Sequence, residues 1–187
     1  MGYKVITAAS SPVIPLADLR LHLRLDLLGG STHPDDALIE GYLGAAKVYC
    51  EHYTQRSIGA QTIELALDAF PSGSIQLPLG AASITAVSYV DDALSLQTVS
   101  SLTYTLDDYS HESWVIPATV WPTAGAYANS VKVRYVTQAT FSPSVKTALL
   151  LTVAHLYENR EESGTDKLIH IPLGVKAMLD TVRAWAL

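Results

Sequence analysis

The stretch Pro143–Glu162, PSVKTALLLTVAHLYENREE, decides how this chain is read. Ser142-Pro143 is an N-cap and first-turn pair: a serine oxygen satisfies an orphan backbone N–H, and proline's fixed φ suits the first helical position. From Val145 the segment is apolar almost all round, and at ENREE it turns polar and acidic. A helix that is apolar on every side must be covered on more than one side. We therefore expect neighbours to complete its burial, copies of the same chain foremost. Glu158, Glu161 and Glu162 stand near a helix C-terminus, where the dipole disfavours anions, and Arg160 is the single cation among them. These carboxylates are expected either to be solvated or to meet a cationic neighbour in an assembly.

Working outward, a second helix is predicted over Pro34–Arg56. Asp35 and Asp36 fall in its first turn, where negative charge is favoured. Leu38, Tyr42, Ala45, Tyr49 and Tyr53 form one stripe at helical spacing; Ile39, Leu43, Ala46 and Cys50 form the next. Pro15–Asp26 is ambiguous. Leu19, Leu21, Leu23 and Leu25 alternate like a strand, but the segment holds no β-branched residue and is rich in Leu and Arg, both good helix formers. A last helix is predicted over Val175–Trp185, with Val175, Met178, Leu179, Val182 and Trp185 at helical spacing.

The middle changes period. Ile63, Leu65 and Leu67 alternate with polar residues, and Val87/Tyr89, Tyr104/Leu106 and Val131/Val133/Tyr135 repeat the pattern between turn clusters. The fold class is thus α+β: a helical core of three to four helices from both chain ends (1–58 and 140–187) with an inserted small antiparallel β subdomain (59–139).

The chain has 187 residues, enough for a core without covalent staples. Charged residues make up only 16% of it, well below the usual share, which leaves sparsely charged surface for interfaces. The net charge of −6 argues against a general nucleic-acid binder but suits a wall past which DNA slides. The single cysteine, Cys50, forms no internal disulfide and lies on an apolar helical face, which makes it a core residue. The first residues lack the apolar core of a signal peptide, and no stretch is long and apolar enough to span a membrane.

We expect no catalytic residue, no metal site and no cofactor. His155 and Glu158 lie three apart on one helix, but the order is the reverse of Glu-x-x-His and no second pair exists. The acidic pairs Asp35-Asp36, Asp91-Asp92 and Asp107-Asp108 read as helix-start and turn residues. No nucleophile elbow, phosphate-binding loop or zinc-helix motif occurs. A small metal-dependent hydrolase, using His155 or His111 with carboxylates, is the alternative from another class. Trp114 and Trp121 are expected to be core or corner residues of the β region.

Several segments, in order, resemble the tailed-phage head-tail connector family, the adaptor group of phages and prophages: DDALIEGYLGAAKVYCEHYTQRSI, QTIELALDAFP, IQLPLGAASITAVSYVDD, YTLDD, VKVRYV and VKTALLLTVAHLYENREE. The resemblance runs from about Pro15 to Val182 and rests on collinear packing patterns. It implies a non-enzymatic virion neck protein, made in the bacterial host cytoplasm. Its partners would be itself, as a ring under the portal (a dodecamer in the virion, a monomer when isolated), the portal protein, and a downstream stopper or tail-completion protein. DNA would pass through the channel without sequence-specific binding. Another neck protein, a head-completion stopper or tail-completion protein, is the near alternative. The resemblance also favours helix for Pro15–Asp26. Within it, Leu38, Tyr42, Tyr49, Tyr53, Leu150, Tyr157, Glu158, Arg160 and Glu161 are candidate subunit-interface residues. Val182, Arg183, Trp185 and Leu187 are candidate portal-docking residues. The sequence departs from the family pattern at Val136-Thr137-Gln138-Ala139, where a Gly-Tyr turn is usual, and in its short apolar end, RAWAL.

Overall fold

The computed structural model describes residues 2–9, 13–25, 32–109, 112–160 and 173–184. Among the described residues four α-helices and two antiparallel sheets of five and three strands make an α+β fold. The chain divides into two compact units, one built on residues Gly59–Thr140 with the N-terminal strand and the other on the flanking helices.

In the sheet unit, β1 (Gly2–Thr7), β2 (Thr62–Leu67), β8 (Val131–Val136), β4 (Ser83–Val90) and β5 (Leu96–Thr98) lie in the spatial order β1-β2-β8-β4-β5. A second sheet has the order β3-β7-β6, from β3 (Ile75–Leu77), β6 (Tyr104–Asp107) and β7 (Ser113–Pro117). The period-two pattern sets which side chains go inside. In β8, Val131, Val133 and Tyr135 are buried while Lys132 and Arg134 point out. Ile63, Leu65, Val87, Val133 and Tyr135 from the larger sheet share one core with Ile75, Leu77, Tyr104 and Val115 from the smaller. Each fully buried Val, Ile or Leu contributes roughly 1.5–3 kcal/mol relative to exposure. Tyr135 is fully buried, its hydroxyl donates to the Pro78 carbonyl at 2.8 Å, and burial pushes its phenol well above the usual range. Trp121 stacks on Phe70, with ring centroids 5.0 Å apart, and its indole N–H donates to the Gly73 carbonyl at 2.7 Å.

One boundary needs correction. The sequence places residues 1–58 in the helical core, yet β1 pairs antiparallel with β2, Tyr3 opposite Leu65 and Val5 opposite Ile63. All six residues of β1 are exposed, so the strand carries no burial pattern to read.

In the helical unit, α1 (Leu16–His22), α2 (Asp36–Thr54), α3 (Pro143–Glu158) and α4 (Leu173–Asp180) share a core that includes Leu19, Ile39, Leu43, Cys50, Leu149, Val153, Val175 and Leu179. The Ser142 hydroxyl caps α3 by accepting from the Val145 N–H, and Pro143 opens the first turn. Cys50 is fully buried and its thiol is pushed up to about 12 by burial, which leaves it inert as a nucleophile.

Three expectations about the helices change. The ambiguous first segment is helical but short, ending at His22, and Leu21 is left 80% exposed. The last helix stops at Asp180, where the Val182 N–H turns back onto the Leu179 carbonyl, so Val182 and Arg183 lie beyond it. Most important, α3 does not need another copy to cover it. It packs against α1, α2 and α4, burying Val145, Ala148, Leu149, Thr152 and Val153 and half-burying Leu150, Leu151 and Leu156.

Candidate functional site

The described polar groups converge at the start of α2. Asp35 and Asp36 stand at its N-terminal end, one held by a cation just beyond α3 and the other by a cation of α1. Arg20 of α1 grips Asp36 with two parallel N–H···O bonds, Nε to Oδ1 at 2.8 Å and Nη2 to Oδ2. The His33 backbone N–H adds a third bond to Oδ2 at 2.8 Å. Asp35 accepts from the Tyr157 hydroxyl at 2.5 Å and from Arg160 Nη2 at 2.8 Å. Arg160 also lies over the Tyr157 ring, 4.3 Å from its centroid. The Tyr157 and Arg160 bonds hold the Asp35 carboxyl below its ordinary value, and the Arg20 fork does the same for Asp36. A planar guanidinium fork fixes geometry as well as charge. This pair of clasps ties the beginning of α2 to α1 and to the exit of α3.

A second cluster ties α2 to α4. The Tyr53 hydroxyl donates to Asp180 at 2.7 Å, Arg183 sits 5.1 Å from the Tyr53 ring centroid, and Tyr49 lies 6.0 Å from the same ring. In the sheet unit, Glu64 is flanked across the strands by Lys4 at 3.2 Å and Arg134 at 2.6 Å. Arg134, with Lys4 second, overrides the desolvation of this buried carboxylate and keeps its pKa low.

Many of the candidate interface residues also contact groups of their own chain. Tyr157 and Arg160 bind Asp35; Tyr49, Tyr53 and Arg183 gather about Asp180; Tyr42, Leu150 and Val182 are half-buried against the helical core. Leu38 and Glu158 keep exposed side chains. Glu161, Trp185, Leu187 and His111 lie outside the described residues. The acidic end of α3 is thus balanced partly in the opposite sense to expectation: its one arginine reaches an aspartate of the same chain. That clasp could have been anticipated only from Arg160 and Asp35 both standing at helix ends.

Among the described residues no group of three or more His, Cys, Asp or Glu could hold a metal ion. His155 Nδ1 lies 3.3 Å from the Asn159 amide. Its Nε2 is buried without a hydrogen-bond partner among the described residues. No described helix is long and apolar enough to cross a membrane. What the described residues assemble is a set of packing cores and charge clasps.

No family model matches this chain, and no curated protein does. Solved structures do. A chain of the neck of an empty gene transfer agent (GTA) particle, computed with C6 symmetry, superposes with a TM-score of 0.81 at 23% identity, covering 100% of this chain and 97% of that one. A chain of the virion of a native gene transfer agent particle gives 0.81 at 24% identity with the same coverage. One from the neck of the native particle, computed with C12 symmetry, gives 0.80 at 22% identity, again with that coverage. At these identities the likeness establishes the fold, and it extends over both units.

Proposed function

We propose that this chain is a structural, non-enzymatic neck protein of a phage-like particle: a head-tail connector. It forms a ring under the portal, extends the DNA channel and docks the next neck or tail protein. The observation that carries this reading is the whole-chain superposition on neck chains, with 100% of this chain covered at a TM-score of 0.81. A single shared domain inside a larger, different protein would not produce such coverage on both sides. Two of those necks were computed with C12 and C6 symmetry. A ring of twelve copies satisfies both operators, which supports a dodecamer.

The physical features agree with this role. The acidic balance of −6 lets a channel wall repel DNA and not trap it. Leu38, Glu158 and Arg160, with exposed side chains, are interface candidates open to a neighbour, and Val182 and Arg183, beyond the last helix, are the candidates for a portal contact. The clasps about Asp35, Asp36 and Asp180 tie the helices of this unit together. The test is to image the purified chain alone and mixed with the portal protein of the same particle. Added ring density under the portal is expected, and a portal that gains no density refutes the connector reading.

A further inference from the structure

The charges of the sheet unit are segregated. Residues 57–131 hold no Lys or Arg but seven Asp or Glu. Lys4 in β1 and Lys132 and Arg134 in β8 all belong to the five-stranded sheet. The strands of the three-stranded sheet carry no cation.

The register of that smaller sheet sorts its side chains into two faces. Ile75, Leu77, Tyr104 and Val115 are buried in the core. Gln76 stands opposite Trp114, Trp114 opposite Asp107, and Ile116 opposite Thr105. Side chains alternate along a strand, so these five share the other face. Gln76, Thr105 and Ile116 are exposed there, and Trp114 and Asp107 are half-buried. Strand β6 is one edge of the sheet. Edges are commonly protected by lysine, proline or a bulge. The β1 edge has Lys4 and a register shift between Val5 and Thr7. The β6 edge, YTLD, has none of these devices. Its one charged residue, Asp107, accepts the Tyr109 N–H on Oδ1 at 3.1 Å, which fixes the carboxylate at the strand end, and Asp108 beside it is exposed. Leu102, just before β6, is 91% exposed. The edge thus offers backbone groups, an apolar row and two carboxylates at one end.

We propose that β6 accepts an extended segment of another protein as a fourth strand of this sheet. The register defines the segment. Running antiparallel, it sets Lys or Arg opposite Asp108 and Asp107 and an apolar residue opposite Leu106. A β-branched residue opposite Thr105 continues the Ile116 row, and an apolar one follows opposite Tyr104. In such strand addition main-chain hydrogen bonds supply affinity and alternate side chains supply specificity. An acidic segment is disfavoured, because no cation on these strands meets it. The contact deepens the docking role proposed above and rests on that reading for the partner's place in the particle.

The test uses the full chain, isotope-labelled for NMR and titrated with the end-blocked peptide Lys-Lys-Val-Thr-Val. Amide shifts should move along β6 and β7, and β6 amides should exchange more slowly. Glu-Glu-Val-Thr-Val and Lys-Lys-Ser-Gly-Ser should each bind about tenfold or more weakly. Asp107→Lys, and Asp108→Lys at its exposed position, should weaken the first peptide about as much. Asp92→Lys is the charge-matched control. It stands on the β4–β5 turn, which its own chain braces: the Asp91 carboxylate accepts from the N–H of Ala93 at 3.0 Å, of Ser95 at 2.9 Å and from the Gln97 amide at 2.9 Å, with Leu94 at φ +59°. In about 0.15 M salt, charges beyond roughly 8 Å are screened, so this control should change binding less than about twofold. If the shifts spread over the whole acidic surface, or if Asp92→Lys weakens binding as much as Asp107→Lys, the attraction is diffuse and the contact is overturned. Absence of binding at millimolar peptide overturns it too. Neither result touches the connector reading, which the density on the portal decides.

Discussion

Leu149→Ala tests whether α3 is covered by its own chain. Leu149 is fully buried among the residues of the helical core, from α2, α4 and the rest of α3. Replacing it removes three carbons and leaves a cavity that close-packed helices refill only in part. The cost expected for such a change is about 3 kcal/mol, within a range of roughly 2–5. With a urea slope of about 1.5–3 kcal/mol/M, the midpoint of the helical unit should fall by roughly 1–2 M. The assay is urea unfolding followed by far-UV circular dichroism, which weights the helices. Tryptophan fluorescence, to which Trp114 and Trp121 of the sheet unit contribute, is read in parallel. Val48→Ala is the control: Val48 lies on α2 but is 66% exposed, and its loss should change stability by about 0.5 kcal/mol or less. The unfolding is repeated at tenfold lower protein concentration. If Leu149→Ala costs less than about 1 kcal/mol, or if its cost changes with dilution, then α3 is covered by another copy and the intrachain account is refuted.

Other outcomes follow from the same geometry. Tyr135→Phe deletes a buried donor and leaves the Pro78 carbonyl unsatisfied, so differential scanning calorimetry should show the sheet unit about 1–3 kcal/mol less stable. Gly125→Ala places a Cβ 2.6 Å from the Tyr127 ring and 2.8 Å from the Asp91 carbonyl; that clash should cost about 1–3 kcal/mol and loosen the β4–β5 turn in amide exchange. Glu64 is held below its ordinary value of 4.5, so its contribution is fully present above that pH and is lost as pH falls through the lower folded value. Acid unfolding of wild type should therefore steepen below about pH 4.5, and Glu64→Gln should flatten that limb. Asp36→Asn weakens the Arg20 fork by removing its charge, and proteolysis near α1 should quicken relative to wild type while the sheet unit keeps its melting point.

Local chemistry announced what is local. The Ser142-Pro143 start, the apolar stripes of α2, the buried place of Cys50 and the period-two alternation of β2 and β8 were all readable from neighbours in sequence. Each depends on side-chain spacing within one element. The α+β class follows from them. Collinear packing patterns also pointed toward the neck fold, although no single motif did so.

The tertiary structure decided what depends on distant partners. Residues as far apart as Asp35 and Arg160 meet only because two helix ends converge, and their charges alone do not say whether they face solvent, each other or a neighbour. That is why the bonds of Tyr157 and Arg160, expected at a subunit interface, to Asp35 of the same chain could not be read from the sequence, nor that the all-round apolar α3 packs against α1, α2 and α4. Strand β1 shows no burial pattern, so its pairing with β2 could come only from backbone hydrogen bonds to a strand some sixty positions away. Leu94 reads in sequence as an ordinary apolar residue after an acidic pair. Only the folded turn, with Asp91 bracing it from below, forces that leucine into a left-handed conformation and out toward solvent, because backbone strain is a property of the closed hairpin and not of the residue.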